Sequence, residues 1–147
     1  MSSVIGNQPA SRRREVFASR GGSSKMHFYD LEVWKNANLL CIETYELTEG
    51  FPKRESYGII DQMRRASSSV GANIAEGFGR FHYKEKIKFY YTARGSACEV
   101  QNFLFLSQEL GYLSKDEARK IFIKYENLNK QINSFILSVQ KKMTDDK

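Results

Sequence analysis

From residue 27 to the end of the chain, apolar residues recur every three or four positions, and Pro52 is the only proline. That spacing repeats once per helical turn and lays an apolar stripe along each segment; the period-2 alternation of a strand is not sustained. The last segment is the clearest: Ala118, Ile121, Tyr125, Leu128, Ile132, Phe135 and Val139 step by three and four. It opens on Ser114-Lys115-Asp116-Glu117, a capping box that satisfies two orphan backbone donors reciprocally. Before it, from about His82 to Leu110, Tyr90, Ala93, Ala97, Val100 and Leu104 share a stripe, and Gly111 supplies a left-handed terminator. The second segment carries Ile59, Met63, Ala66, Val70, Asn73 and Gly77, with Gly77 and Gly79 ending it in a turn. The first starts near Asp30, a good N-cap by residue type, and offers Leu31, Trp34, Ala37, Cys41 and Tyr45 to a core. Gly50-Phe51-Pro52 closes it. Four segments with short connections predict an all-α, antiparallel up-down-up-down four-helix bundle over residues 27–147.

The first 26 residues are different. They hold six Ser and three Gly, show no sustained apolar period, and set five basic side chains against the single acid Glu15. Such a stretch buries too little surface to offset its ordering entropy and is expected to be a flexible basic leader. Its cluster Arg12, Arg13 and Arg14 reads as a nucleic-acid-binding arm, or else as a solubilising tail or an over-long start ahead of Met26. Within the bundle, Lys53 to Arg94 carry nine basic residues against four acids. A one-sided basic distribution is the footprint of a polyanion binder, although solvated helices also show it.

Two features point to self-association. The second segment is crowded with Ala66, Ser67, Ser68, Ser69, Gly71, Ala72 and Ala75, small side chains that let another backbone approach closely. The third carries Phe89, Tyr90, Tyr91, Phe103, Phe105 and Leu106 around more of its circumference than one stripe can bury. A helix of that kind needs cover on more than one side, so an oligomer is expected.

The sequence offers little for catalysis. His27 and His82 are not paired with a nucleophile, and His82-x-x-Glu85 occurs once, reversed from the Glu-x-x-His of di-metal bundles. Gly77-Phe78-Gly79 is too short for a phosphate-binding glycine loop. Cys41 and Cys98 show no CxxC spacing and read as small core hydrophobes in a reduced, cytoplasmic protein. No apolar run approaches the roughly 18–20 residues of a membrane span. The expectation is therefore a non-enzymatic protein with neither cofactor nor metal. Asn73 and Glu76 stand out as polar residues on or beside an apolar stripe; they are expected to pin the turn at Gly77 to Gly79, with an Arg as counter-ion.

The run from Gln62 through Arg64-Arg65-Ala66-Ser67-Ser68-Ser69-Val70-Gly71-Ala72-Asn73-Ile74-Ala75-Glu76-Gly77-Phe78-Gly79-Arg80 closely resembles the hallmark of the bacterial four-helix family named after the 23S rRNA intervening-sequence protein. Phe28-Tyr29-Asp30-Leu31-Glu32-Val33-Trp34, Phe51-Pro52, Ala93-Arg94-Gly95-Ser96-Ala97-Cys98-Glu99 and Leu110-Gly111-Tyr112-Leu113 agree in order, so the likeness covers about residues 28–140. Gly71 departs from it, since the family more usually carries a larger residue there, and a loosened second helix is expected. The resemblance implies a homopentameric ring and supplies no catalytic residues. A similar basic bundle is the accessory variability protein of diversity-generating retroelements, which works with a reverse transcriptase and binds nucleic acid.

Together these readings lead to a nucleic-acid-binding accessory protein, for RNA before DNA, contacting the phosphate backbone through Arg64, Arg65, Arg80, Lys84, Lys88 and Arg94 with the leader arginines assisting. A reverse transcriptase is the partner implied by analogy. The competing expectation is a ring that scaffolds a partner protein, with its charge serving solubility alone.

Overall fold

The computed structural model describes residues 25–146; the leader arginines Arg12, Arg13 and Arg14 lie outside them. Among the described residues the chain forms four α-helices: α1 (Glu32–Thr48), α2 (Ile59–Phe78), α3 (Tyr83–Glu109) and α4 (Lys115–Asp145). Short 3-10 turns at Phe28–Asp30 and Lys53–Glu55 precede α1 and α2. Cross-helix neighbours fix the register. Trp34 faces Gly71, Cys41 faces Ser67 and Thr48 meets Arg64, so α1 and α2 run antiparallel. Met63 meets Ser107 while Ser69 meets Ser96, which sets α3 against α2 in the opposite sense. Tyr90 packs on Phe135 and Gln101 reaches Glu126, and Thr44 meets Tyr125 where α4 closes back on α1. This is the expected up-down-up-down bundle.

The two long helices follow the sequence closely. Tyr90, Ala93, Ala97, Val100 and Leu104 are all buried along α3. Gly111, at φ 81°, ends that helix. The Tyr112 amide reaches the Ser107 carbonyl at 2.9 Å and the Gly111 amide the Gln108 carbonyl at 3.0 Å, the paired bonds of a Schellman terminus. The capping box opens α4, with Ser114 and Glu117 exchanging 3.1 Å bonds. Along α4 the stripe holds except at one position: Ile136 is buried, while Phe135 is partly covered and lies against Tyr90 at 4.7 Å between ring centroids.

The first helix departs from expectation. Its buried face is Val33, Ala37, Leu40, Thr44 and Thr48, and Tyr45 is exposed. Two threonines take core positions because each hydroxyl finds partners there. The Thr44 hydroxyl donates to the Leu40 carbonyl at 2.7 Å and lies 2.8 Å from the Tyr125 hydroxyl. Thr48 donates to the Thr44 carbonyl at 2.9 Å and accepts from Arg64 Nε at 2.9 Å. A buried hydroxyl with its bonds made carries little of the usual polar penalty. Asp30 is not the N-cap: it belongs to the preceding 3-10 turn, where its carboxylate accepts from the His27 amide at 2.8 Å, and Leu31 takes the cap position without a side-chain bond. Cys98, one position off the Ala93–Ala97–Val100 stripe, is exposed, whereas Cys41 is half-buried and its thiol is pushed up by burial.

The small residues of α2 divide between two faces. Ala66, Ser67, Gly71 and Gly77 point into the bundle, while Ser68 and Ala72 are exposed. At the two inward glycines the packing differs. A Cβ on Gly71 would meet Trp34 at 3.4 Å and Ala37 at 4.0 Å, ordinary contact distances. A Cβ on Gly77 would lie 2.7 Å from Tyr90 Cε1, 2.9 Å from Phe89 Cβ and 3.1 Å from the Lys86 carbonyl oxygen. The neighbours at position 77 include backbone and a buried ring that have nowhere to retreat.

Opposite effects of one methyl group follow. Gly71→Ala raises the melting temperature, by the ~0.5–1 kcal/mol that Ala gains over Gly inside a helix. Gly77→Ala lowers it, by the ~1–3 kcal/mol typical of overpacking. Thermal melts followed by circular dichroism check both; a stabilising Gly77→Ala contradicts the close approach described here.

Candidate nucleic-acid interface

The six cations singled out in the sequence fall into two groups. Arg64 is a strut between helices. Its Nε donates to Thr48, its Nη2 reaches the Tyr45 carbonyl at 3.3 Å and Glu49 at 3.0 Å, and its guanidinium lies over the Tyr45 ring at 4.7 Å. With only 27% of its side chain exposed, it closes the α1–α2 end of the bundle. Arg65 pairs with Asp61 one turn earlier at 3.0 Å. Arg80 pairs with Glu76 at 3.0 Å and lies over the Phe89 ring at 4.9 Å. Arg94 donates to Asn133 at 2.7 Å and covers the Tyr91 ring at 4.8 Å.

Lys84 and Lys88 are the other group. Both are exposed on the first turns of α3, and among the described residues neither forms an ion pair. Spaced i, i+4 on a helix they are neighbours of like charge, a mildly unfavourable arrangement that a bound anion relieves. A third lysine stands at the same corner. Lys86 turns back onto the end of α2, donating to the Phe78 carbonyl at 2.7 Å and the Gly77 carbonyl at 3.4 Å with its ammonium 5.4 Å from the Phe78 ring centroid. Burial holds this ammonium below the usual lysine range, and the charge of Lys142 near the end of α4 lowers it further. Acids are present too: Glu85 is exposed on α3, and Asp146 sits at the Tyr83 hydroxyl and pushes that phenol up.

The corner between α2 and α3 is tightly built. Gly77 lets Tyr90 and the Lys86 backbone press against the last turn of α2. Burial pushes the Tyr90 phenol up to about 12, so it stays neutral beneath the basic surface. The Gly79 amide bonds the Ala75 and Glu76 carbonyls, and the Arg80 amide bonds the Gly77 carbonyl. Lower down, Asn73 donates to the Ser69 carbonyl at 2.8 Å and to its hydroxyl at 2.9 Å, while Ser96 reaches the same hydroxyl at 3.0 Å. Asn73 therefore does not pin the turn: its amide points back along α2 to Ser69, and it is the Ser69 hydroxyl that links α2 to Ser96 on α3. Glu76 does meet its expected counter-ion, Arg80. Gly79 has φ −76°, so the turn does not use a left-handed glycine there.

One residue at this corner was missed by the reading of the sequence. Phe81 stands in the α2–α3 connection with 88% of its surface exposed, its ring edge-on to His82 at 5.1 Å. Its position between Arg80 and Lys84 was visible in the sequence; its exposure was not.

Elsewhere the surface offers less. A groove of about 320 Å³ lies between α1 and α4, lined by Leu39, Leu40 and Leu128 and spanned by the Glu43–Lys124 ion pair at 2.9 Å and the Asn36–Gln131 bond at 2.8 Å. Among the described residues no cluster of three or more His, Cys, Asp or Glu could hold a metal ion, and no helix is long and apolar enough to cross a membrane.

Comparison with solved structures finds a protein of unknown function from the S23 ribosomal protein family of Bacteroides thetaiotaomicron, with a TM-score of 0.64 and 20% identity. The match covers 71% of this chain and 97% of that one, and at this identity it speaks for the fold. No curated protein matches. The family model of the 23S rRNA-intervening sequence protein matches residues 29–134, a span that takes in the hallmark run, the α2–α3 corner and most of α4. The chain belongs to the 23S rRNA-intervening sequence protein family.

Proposed function

We propose that this protein is a nucleic-acid-binding accessory protein that performs no chemistry of its own and holds RNA, in preference to DNA, by its phosphate backbone. The observation that carries this reading is the pair Lys84 and Lys88, exposed, adjacent on α3 and without an ion pair among the described residues, with the partly buried Lys86 between them in sequence and the charge of the exposed Lys142 acting on it. Unneutralised cations gathered on one surface attract phosphates without regard to sequence. Arg94, held by Asn133 and stacked on Tyr91, extends the basic surface along the same helix. Arg64 belongs to the scaffold in this reading, and Arg65 and Arg80 keep acid partners that a phosphate would have to displace.

Assembly as a ring, a pentamer by family likeness, multiplies this surface. Phe105, at 56% exposure, and Leu106 leave the C-terminal half of α3 apolar beyond the face it buries, and Ser68 and Ala72 leave α2 small and open. Gly95 sits in the middle of α3 with nothing within 4 Å of where a Cβ would be, so packing within one chain does not account for it. A close neighbour does. Several weak phosphate sites on one ring add avidity without new contacts. A reverse transcriptase is the partner class that the basic-bundle analogy supplies, and a protein scaffold is the reading that remains if nucleic acid does not bind.

Anisotropy titrations with a labelled single-stranded RNA test the main reading. The logarithm of affinity falls linearly with log salt, with a slope of about −2 for three phosphates neutralised at roughly −0.7 each. The double variant Lys84→Glu/Lys88→Glu flattens the slope and weakens unrelated sequences alike. Arg64→Ala instead lowers the melting temperature by a few degrees through the loss of ~1–2 kcal/mol of buried hydrogen bonding. If neither RNA nor single-stranded DNA binds at low salt, the scaffold reading replaces this one. Light scattering after gel filtration at micromolar concentration gives five times the chain mass; a stable monomer contradicts the ring.

A further inference from the structure

The exposed face of α3 carries more than charge. Lys84, Lys88 and Tyr91 step by four and three and so share one stripe, and Phe81 stands just ahead of it in the α2–α3 connection. From Lys84 to Tyr91 the helix rises about 10 Å. An aromatic ring thus stands at each end of two unpaired ammonium groups.

Single exposed aromatics are ordinary on protein surfaces, and Tyr57, 98% exposed at the opposite end of the bundle, is one of them. Phe81 differs in how it is held and in what surrounds it. The turn that carries it is fixed by the Gly77 close approach, by the Arg80 amide bonded to the Gly77 carbonyl, and by Lys86 bonded to the Phe78 carbonyl. A ring displayed from a rigid turn loses little freedom when something stacks on it. At the far end Tyr91 is also pre-set: Gln140 donates to its hydroxyl at 3.3 Å and the Arg94 guanidinium covers one face at 4.8 Å.

Resting on the phosphate-binding reading above, we infer that this stripe is a track for single-stranded nucleic acid, in which Phe81 and the Tyr91–Arg94 stack take bases while Lys84 and Lys88 hold the phosphates between them. Charge complementarity selects a polyanion, and the rings select one whose bases are unpaired. Bases inside a duplex already stack on each other and cannot reach a ring on a convex helix; bases of a single strand can, and every base has a face to offer. The track therefore distinguishes strandedness and not sequence.

The test uses the full chain with two labelled RNAs of equal length, an oligouridine and a perfect duplex, in anisotropy titrations at low salt. Phe81→Ala weakens the oligouridine at least roughly fivefold, the lower end of what one lost base stack amounts to, and changes the duplex less than twofold. Its salt slope stays at the wild-type value because no phosphate contact is lost. Phe81→Tyr rescues most of the affinity, and Tyr57→Ala leaves both RNAs bound as before. If Phe81→Ala leaves oligouridine binding unaltered while Lys84→Glu/Lys88→Glu abolishes it, the track is overturned and the phosphate surface stands. If Tyr57→Ala weakens binding equally, the effect is not local to α3 and the track is again overturned. If Phe81→Ala changes the mass of the assembly in light scattering, Phe81 is a protein contact and the inference fails. Absence of binding by either RNA removes the underlying reading together with the track.

Discussion

The absence of a side chain at position 77 governs how α2 meets α3. Because no Cβ stands between them, Tyr90, Phe89 and the Lys86 carbonyl press against the last turn of α2, closer than any other residue type allows. Everything at that corner inherits its position from this contact. Lys86 reaches the α2 carbonyls only because the chain turns so tightly, and in satisfying them it becomes partly buried. Lys84 and Lys88 face outward on α3, and Phe81, ahead of them in the connection, is 88% exposed.

Counting charge along the chain overstates how many cations are free to meet a ligand. Arg64, Arg65 and Arg80 each find a carboxylate 3.0 Å away, and Arg64 also ties α1 to α2 through Thr48 and Tyr45. Exposed pairs such as Arg65–Asp61 are worth little in stability, but each lowers the local field that a phosphate would feel. Exposed cations without an ion pair among the described residues also stand near the start of α2 and along α4, at Lys53, Arg54, Arg119 and Lys130; what sets Lys84 and Lys88 apart is the exposed aromatic ring beside them at Phe81. The same logic separates the leader, whose arginines lie outside the described residues, from a surface whose geometry is on view.

Much of this architecture was readable in the residues themselves. The α3 and α4 stripes, the Ser114–Glu117 box and the Gly111 terminus are local patterns with local causes, and they hold in the fold save that Ile136 takes the buried place expected of Phe135. The face of α1 did not, because Thr44 and Thr48 count as polar until Tyr125, eighty residues on, is seen to share a hydrogen bond with one of them. Asn73 spends its amide on Ser69 one turn back, and the link from Ser69 to Ser96 crosses two helices, which no single segment reveals. Family likeness placed the hallmark run in α2 and the following turn but said nothing of Phe81, whose importance comes from exposure, a property of the folded chain. Gly71 looked like a weak point in the sequence; in the fold it is a tolerable gap beside Trp34.

The α3 corner as the place where nucleic acid meets the protein is tested most directly by photo-crosslinking. A 4-thiouridine oligonucleotide is irradiated on the full chain at low salt, and the adducts are mapped by mass spectrometry. The account predicts crosslinked peptides spanning residues 80–94, with Phe81 and Tyr91 among the modified positions and no adducts on the α1–α4 groove. Crosslinks concentrated at Leu39, Asn127 or Gln131 in that groove, with residues 80–94 unmodified, would contradict it.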